Sequence, residues 1–208
     1  MNLLDIQTAI NNLKQKHKIF HSEADFQFSM AWELQQILPD AKVRLEYCPP
    51  FAREMHIDIY VIDENRTYPI ELKYKTKTIE TIVDNEYFNL KNHGAQDLGR
   101  YDFLYDICRI ERMKKLDKQF RQGFAIILTN DSAYWKPPAS NNTVDVSFRI
   151  HEGRLASGNL NWTKNAGVGT IKGRDSFELQ NEYEIKWHSF SRIEEKFGEF
   201  NYCLIEVK

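Results

Sequence analysis

The sequence predicts an α/β domain: a mixed central sheet flanked by helices, followed by an irregular, β-rich C-terminal extension. Three observations predict it. Apolar residues recur at helical spacing near the N-terminus and again over 95–120. Short alternating segments of strand type lie between these stretches. After Asn130 the texture changes, with Gly, Asn, Ser and Pro separating brief strand-like pieces.

Taken in order, Leu3, Leu4, Ile6, Ile10 and Leu13 predict a helix over 3–17. Ser22 can cap a second helix, and Glu23 and Asp25 suit the positive end of its dipole. Phe26, Met30, Leu34, Ile37 and Leu38 form its apolar side, and Pro39-Asp40 stops it. Lys42–Tyr47 alternates like a strand, ended by Pro49-Pro50. His56–Ile62 and Tyr68–Tyr74 are two further strands, joined as a hairpin by the polar residues 63–66. Residues 78–94 show no clear period and are expected to be a mobile excursion. Residues 95–120 predict a long helix carrying Leu98, Phe103, Leu104, Ile107, Ile110, Met113 and Leu116, ended by Gly123. The almost wholly apolar Phe124–Thr129 reads as a strand covered on both faces. Val144–Ile150, Phe177–Leu179 and Tyr202–Val207 read as short strands, the last returning to the sheet. The 208 residues predict a single domain, with 131–208 an elaboration on it.

Composition narrows the function. Lys and Arg number 28 against 30 Asp and Glu, a net charge of -2, which excludes a histone-like or ribosomal basic protein. A nucleic-acid enzyme stays open, because its basic groups can be local. With 42% hydrophobic and 13% aromatic residues the chain is too apolar for disorder. No run approaches the length of a membrane span, and the N-terminus does not read as a signal peptide. Cys48, Cys108 and Cys203 are far apart with no C-x-x-C, which argues against a disulfide framework or zinc knuckle and for a cytoplasmic location. There is no P-loop, no dinucleotide fingerprint and no nucleophile elbow, and His151-Glu152 does not begin an H-E-x-x-H.

The hairpin is where chemistry is expected. With period 2, His56, Asp58 and Tyr60 share a face with Glu71, Lys73 and Lys75. Pairing Ile62 with Thr67 sets Asp58 opposite Glu71 and His56 opposite Lys73, so two carboxylates and an ammonium meet on one face. Carboxylates that close repel unless a proton or cation sits between them. A hard divalent cation fits oxygen ligands of this kind, and a neighbouring lysine can hold a water for phosphodiester hydrolysis. The bland alternative is a solvated hairpin face with cross-strand ion pairs.

On these residues the chain resembles the PD-(D/E)XK, or restriction-endonuclease-like, nuclease superfamily. The likeness rests on a helix with an acidic residue, a strand, Asp58, Glu71-Leu72-Lys73, a helix and another strand, and covers roughly 20–130. It implies that Asp58, Glu71 and the Leu72 carbonyl hold Mg²⁺ or Mn²⁺, with Glu23 as a helical acidic ligand and Lys73 as the catalytic lysine. Residue 57 is Ile where the motif's name has Pro. Gln96 and Arg100 share a helix face and resemble the Gln-x-x-x-Tyr element of the RecB-type branch, with Tyr101 one step late. In that role they would contact phosphate or orient the metal ligands. Further phrases, among them Ser22–Gln27, Ile70–Lys73 and Phe148–Gly153, resemble uncharacterised bacterial proteins with such a core.

The implied function is metal-dependent hydrolysis of phosphodiester bonds in DNA. The alternative is a catalytically silent module of the same fold that binds nucleic acid or a protein. Nucleic acid is the expected partner, with a homodimer or partner protein left open. Other candidates have plainer readings: His56 as a half-buried packing residue, Asp106–Lys115 as an exposed intrahelical charge network, Asn130 and Asp131 as turn chemistry. Tyr134, Trp135, Trp162 and Trp187 read as core or rim packing before base stacking.

Overall fold

The computed structural model describes residues 4–208; Leu3, expected in the first helix, lies outside the described residues. Helix α1 (Ile6–Lys16) starts at Asp5, whose carboxylate accepts the Thr8 N–H at 3.1 Å. Helix α2 (Glu23–Ile37) starts at Ser22, whose hydroxyl accepts the Asp25 N–H at 3.2 Å. Each cap satisfies one N–H that a first turn leaves without a partner. Ile10 and Leu13 of α1 and Phe26, Met30 and Leu34 of α2 are buried in one cluster against one face of the sheet.

Strands β1 (Lys42–Tyr47), β2 (Ile57–Asp63) and β3 (Arg66–Lys75) follow as an antiparallel meander. Ile62 pairs with Thr67, the register that the hairpin count expects. Residues 78–94 are not a structureless excursion: β4 (Ile79–Val83) and β5 (Glu86–Leu90) make a separate hairpin. Its turn residues Asp84 and Asn85 stand at φ 52° and 67°. Such a two-residue turn needs positive φ at both positions, which Asp and Asn tolerate best after Gly.

Helix α3 (Gln96–Leu116) then crosses the other face and delivers β6 (Gly123–Thr129) parallel to β3. The helix ends before Gly123, because Asp117 turns its carboxylate inward to accept the Tyr60 hydroxyl at 2.5 Å and the Thr67 hydroxyl. Gly123 marks a close approach: a Cβ there would lie 2.2 Å from a methyl of Ile110.

In the extension, 144–150 holds a 3₁₀ turn (Val146–Phe148) instead of a strand. Strand β7 (Leu155–Leu160) and β8 (Phe177–Glu184) pair with each other, with the short α4 (Val168–Ile171) between them. Strand β9 (Trp187–Arg192) and β10 (Glu199–Val207) join the main sheet, whose order is β1-β2-β3-β6-β10-β9. The β3–β6 pair is parallel and its other neighbours are antiparallel, so the sheet is mixed. Phe124, Ile126 and Leu128 of β6 face α1 and α2, while Ala125 and Ile127 face α3. Among the described residues no helix is long and apolar enough to cross a membrane.

Candidate functional site

The pairing of β2 with β3 reaches only Ile59–Ile70, yet β3 continues to Lys75. Beyond that point successive N–H groups on the open edge need other acceptors. The Leu72 N–H donates to Asp58 Oδ2 at 2.6 Å, the Tyr74 N–H to Glu23 Oε2 at 2.7 Å, and the Thr76 N–H to His93 Nδ1 at 3.0 Å. Three side chains thus stand in for a missing strand. Gln27 on α2 donates to the Asp58 carbonyl and to Glu46 Oε1, each at 2.7 Å, which fixes the backbone where β2 turns away.

Glu71 and Lys73 point from β3 to the opposite side, beside Ala125 and Ile127 of β6 and under α3. Two α3 residues meet them. Lys73 Nζ lies 2.7 Å from Asp106 Oδ2 and donates to the Leu72 carbonyl at 3.1 Å. Arg109 lies 3.2 Å from Glu71 Oε1 and 3.3 Å from Asp106 Oδ1, and donates to the His56 carbonyl. The Arg109–Glu71 distance suits an ion pair but the angle does not suit a hydrogen bond, so both Glu71 oxygens are buried without a hydrogen-bond partner among the described residues.

Three carboxylates (Asp58, Glu71, Asp106) face two cations (Lys73, Arg109), a formal surplus of one negative charge. The titrations respond accordingly. Burial, then the Asp106 charge, raises the Glu71 carboxyl well above the usual range. Burial pushes Asp106 up to about 6, against the pull of Lys73 and Arg109. Burial opposes the Lys73 ammonium, but Asp106, Asp58 and Glu71 outweigh it and raise its pKa. A fully buried carboxylate with two orphaned oxygens is costly unless protonated or met by a cation.

That orphaned carboxylate, the half-buried Asp58 and the Leu72 carbonyl are hard oxygen donors of the type Mg²⁺ or Mn²⁺ takes. Among the described residues, no three His, Cys, Asp or Glu side chains are grouped as a metal-holding set. Glu23 is engaged at the edge of β3, with Lys75 4.0 Å from its carboxylate. It lines a cavity of about 410 Å³ with Lys75, Thr76 and His93. On the other flank Arg109 lines one of about 270 Å³.

Gln96 and Arg100 lie elsewhere. Arg100 is buried, with its guanidinium on Asp145 Oδ2 at 2.5 and 2.9 Å, so a phosphate-clamping role does not fit this geometry. Gln96 donates to Asp131 at 2.8 Å. His56 is exposed instead of half-buried, and it is its carbonyl that contributes, through Arg109. Asp131 is more than a turn residue, since it also takes Lys77 at 3.0 Å. Trp135 packs on Trp187 and Trp162 on Tyr101 and Phe148, so these rings serve packing.

The expectation of an exposed charge network over 106–115 is corrected. Asp106 and Glu111 are 3% exposed. Glu111 accepts the Gln180 and Asn181 N–H groups and the Tyr183 hydroxyl, and so holds β8 against α3. Asp106 follows Phe103 by three residues and precedes Ile110 by four, which puts it on the buried stripe. That spacing is the signal by which it could be found. No protein-family profile, curated protein or solved structure matches this chain.

Proposed function

We propose that the chain is a divalent-metal-dependent nuclease acting on DNA, built on a restriction-endonuclease-like core over 20–130. The observation that carries this reading is Glu71: fully buried, with no hydrogen bond to either oxygen, beside Asp58 and Lys73. A purely structural glutamate would find donors, as Glu111 does. The α2–β1–β2–β3–α3–β6 succession, interrupted only by the β4–β5 hairpin and with β3 and β6 parallel, supports the same reading.

A bound dication would supply a polarised phosphate and an acidified water at the Asp58–Glu71 edge. The chain's own groups do the rest. Lys73 stays charged among the carboxylates and can orient a water or a non-bridging phosphate oxygen. Arg109 offsets the charge that builds on the phosphate. Asp106 keeps the Lys73 ammonium aimed at the Leu72 carbonyl.

One observation favours the second reading, a silent module that binds nucleic acid or a protein: Arg109 and Lys73 already stand at Glu71 and at the Leu72 carbonyl. A cleavage assay on plasmid and single-stranded DNA with Mg²⁺ or Mn²⁺ separates the two. Under the nuclease reading Glu71→Gln and Lys73→Ala each lose about a hundredfold or more in rate. Metal-independent cleavage, or cleavage untouched by Lys73→Ala, would remove the mechanism.

A further inference from the structure

The carboxyl ends of β3 and β6 lie side by side, Lys75 paired with Thr129, and an ion pair between Lys77 and Asp131 joins the chain just beyond them. Past Asp131 lies a cavity of about 420 Å³, separate from the Asp58–Glu71–Lys73 cluster. Lys136 and Arg149 line it with Ser132, Ser140 and Thr143, and the Thr143 hydroxyl accepts from the Arg149 guanidinium at 2.7 Å. Its one carboxylate, Asp131, is satisfied by Gln96, Lys77 and the Ala133 N–H.

Behind this wall two guanidiniums meet one carboxylate. Asp145 takes Arg100 at 2.5 Å and Arg149 at 3.2 Å, and Arg154 adds a third guanidinium that donates to the carbonyls of Ser147 and Arg149. Arg100 and Arg149 therefore share the Asp145 carboxylate, and Asp97 also acts on Arg149. The Arg149 Nε is buried without a hydrogen-bond partner among the described residues. Burial and the Arg100 charge also pull the Arg149 pKa below its usual value. The ion pairs of this region take in Lys77, Arg100 and Arg149 but not Lys136, which is exposed. A guanidinium with a buried, unpaired N–H beside an exposed ammonium suits an oxyanion, which such groups hold by charge-assisted hydrogen bonds.

We propose that the Lys136–Arg149 cavity is a phosphate subsite. Its ligand is a phosphate group, carried either by a nucleic-acid backbone or by a small phosphorylated molecule. The backbone source rests on the nuclease reading; the small-molecule source does not.

The test is equilibrium binding of the full chain without divalent metal, so that cleavage plays no part. The probes are a fluorescent single-stranded oligonucleotide, followed by anisotropy, and inorganic phosphate, followed by calorimetry. Lys136→Glu is compared with Lys118→Glu, which makes the same charge change on an exposed lysine just past the end of α3. Lys136→Gln serves if the charge reversal does not fold by circular dichroism. The expected result is a fivefold or greater loss of affinity for at least one probe on Lys136→Glu, with less than twofold on Lys118→Glu. Oligonucleotide binding should also lose about one unit of salt dependence, the share of one phosphate contact. Loss with the oligonucleotide identifies a backbone phosphate, and loss with inorganic phosphate alone identifies a small ligand. Wild-type affinity of the Lys136 variants for both probes, or failure of the wild type to bind either, would overturn the subsite. Catalytic inactivity with normal Lys136-dependent binding would instead count only against the nuclease reading.

Discussion

Lys73 on β3 and Asp106 on α3 meet at 2.7 Å beneath the helix, so the ammonium of the candidate site is held by a carboxylate from a different element. The contact makes α3 part of the site, because it determines where Lys73 points and adds the third carboxylate to the cluster.

The pH dependence of stability follows from this contact. Asp106 is pushed up to about 6 from 3.8, chiefly by burial. The folded state then holds a proton that the unfolded state has released, so this group contributes stability at low pH that is lost as pH rises through that interval. A shift of that size corresponds to about 3 kcal/mol. Urea unfolding of the metal-free chain should show stability falling between about pH 4 and pH 7 by more in the wild type than in Asp106→Asn. Parallel profiles would contradict the buried carboxylate.

Glu71→Gln removes the surplus negative charge. Without divalent cations this variant should melt at or above the wild-type temperature, by up to about 2 kcal/mol in stability, the usual signature of a site kept strained for function. Added Mn²⁺ should raise the wild-type melting temperature and leave Glu71→Gln unmoved. A wild type indifferent to Mn²⁺ would speak for the silent module.

Arg100→Ala should act on folding and not on chemistry. Removing one partner of a buried ion pair costs about 3–5 kcal/mol, and Arg100 and Asp145 are 5% and 2% exposed. Calorimetric melting and turnover on the same preparation check this. A variant of full stability but weakened DNA binding would restore Arg100 as a phosphate ligand.

The β4–β5 turn offers a local test. Asn85 stands at φ 67°, where a β-branched residue is strained by about 1–2 kcal/mol. Asn85→Val should lower stability by that amount and Asn85→Gly should not. Equal melting of the two variants would mean that the turn is not held as described.

How much of this was legible in the sequence depends on the range of the forces concerned. Ser22 capping, the two-residue periodicity of β2 and β3, and the apolar run of β6 are local, and all are present in the fold. The Asp84-Asn85 turn is equally local, but the weak periodicity of 78–94 around it masks its positive-φ preference. Asp106 could be placed by its spacing from Phe103 and Ile110, although the i,i+3 pair with Arg109 suggested a solvent-facing role.

The sequence by itself determined which faces of β2 and β3 carry charge, because strand side chains alternate whatever lies around them. It also determined that helices must cover the sheet, since an almost wholly apolar β6 cannot face water. Only the tertiary structure decided what those charges meet. It ended the β2–β3 pairing at Ile70 so that Asp58 and Glu23 replace a strand, brought Asp106 and Arg109 down onto Glu71 and Lys73, and drew Arg100 away to Asp145. These partners are distant in the chain, and their pairing follows from how α3 packs across the sheet, which no local pattern encodes.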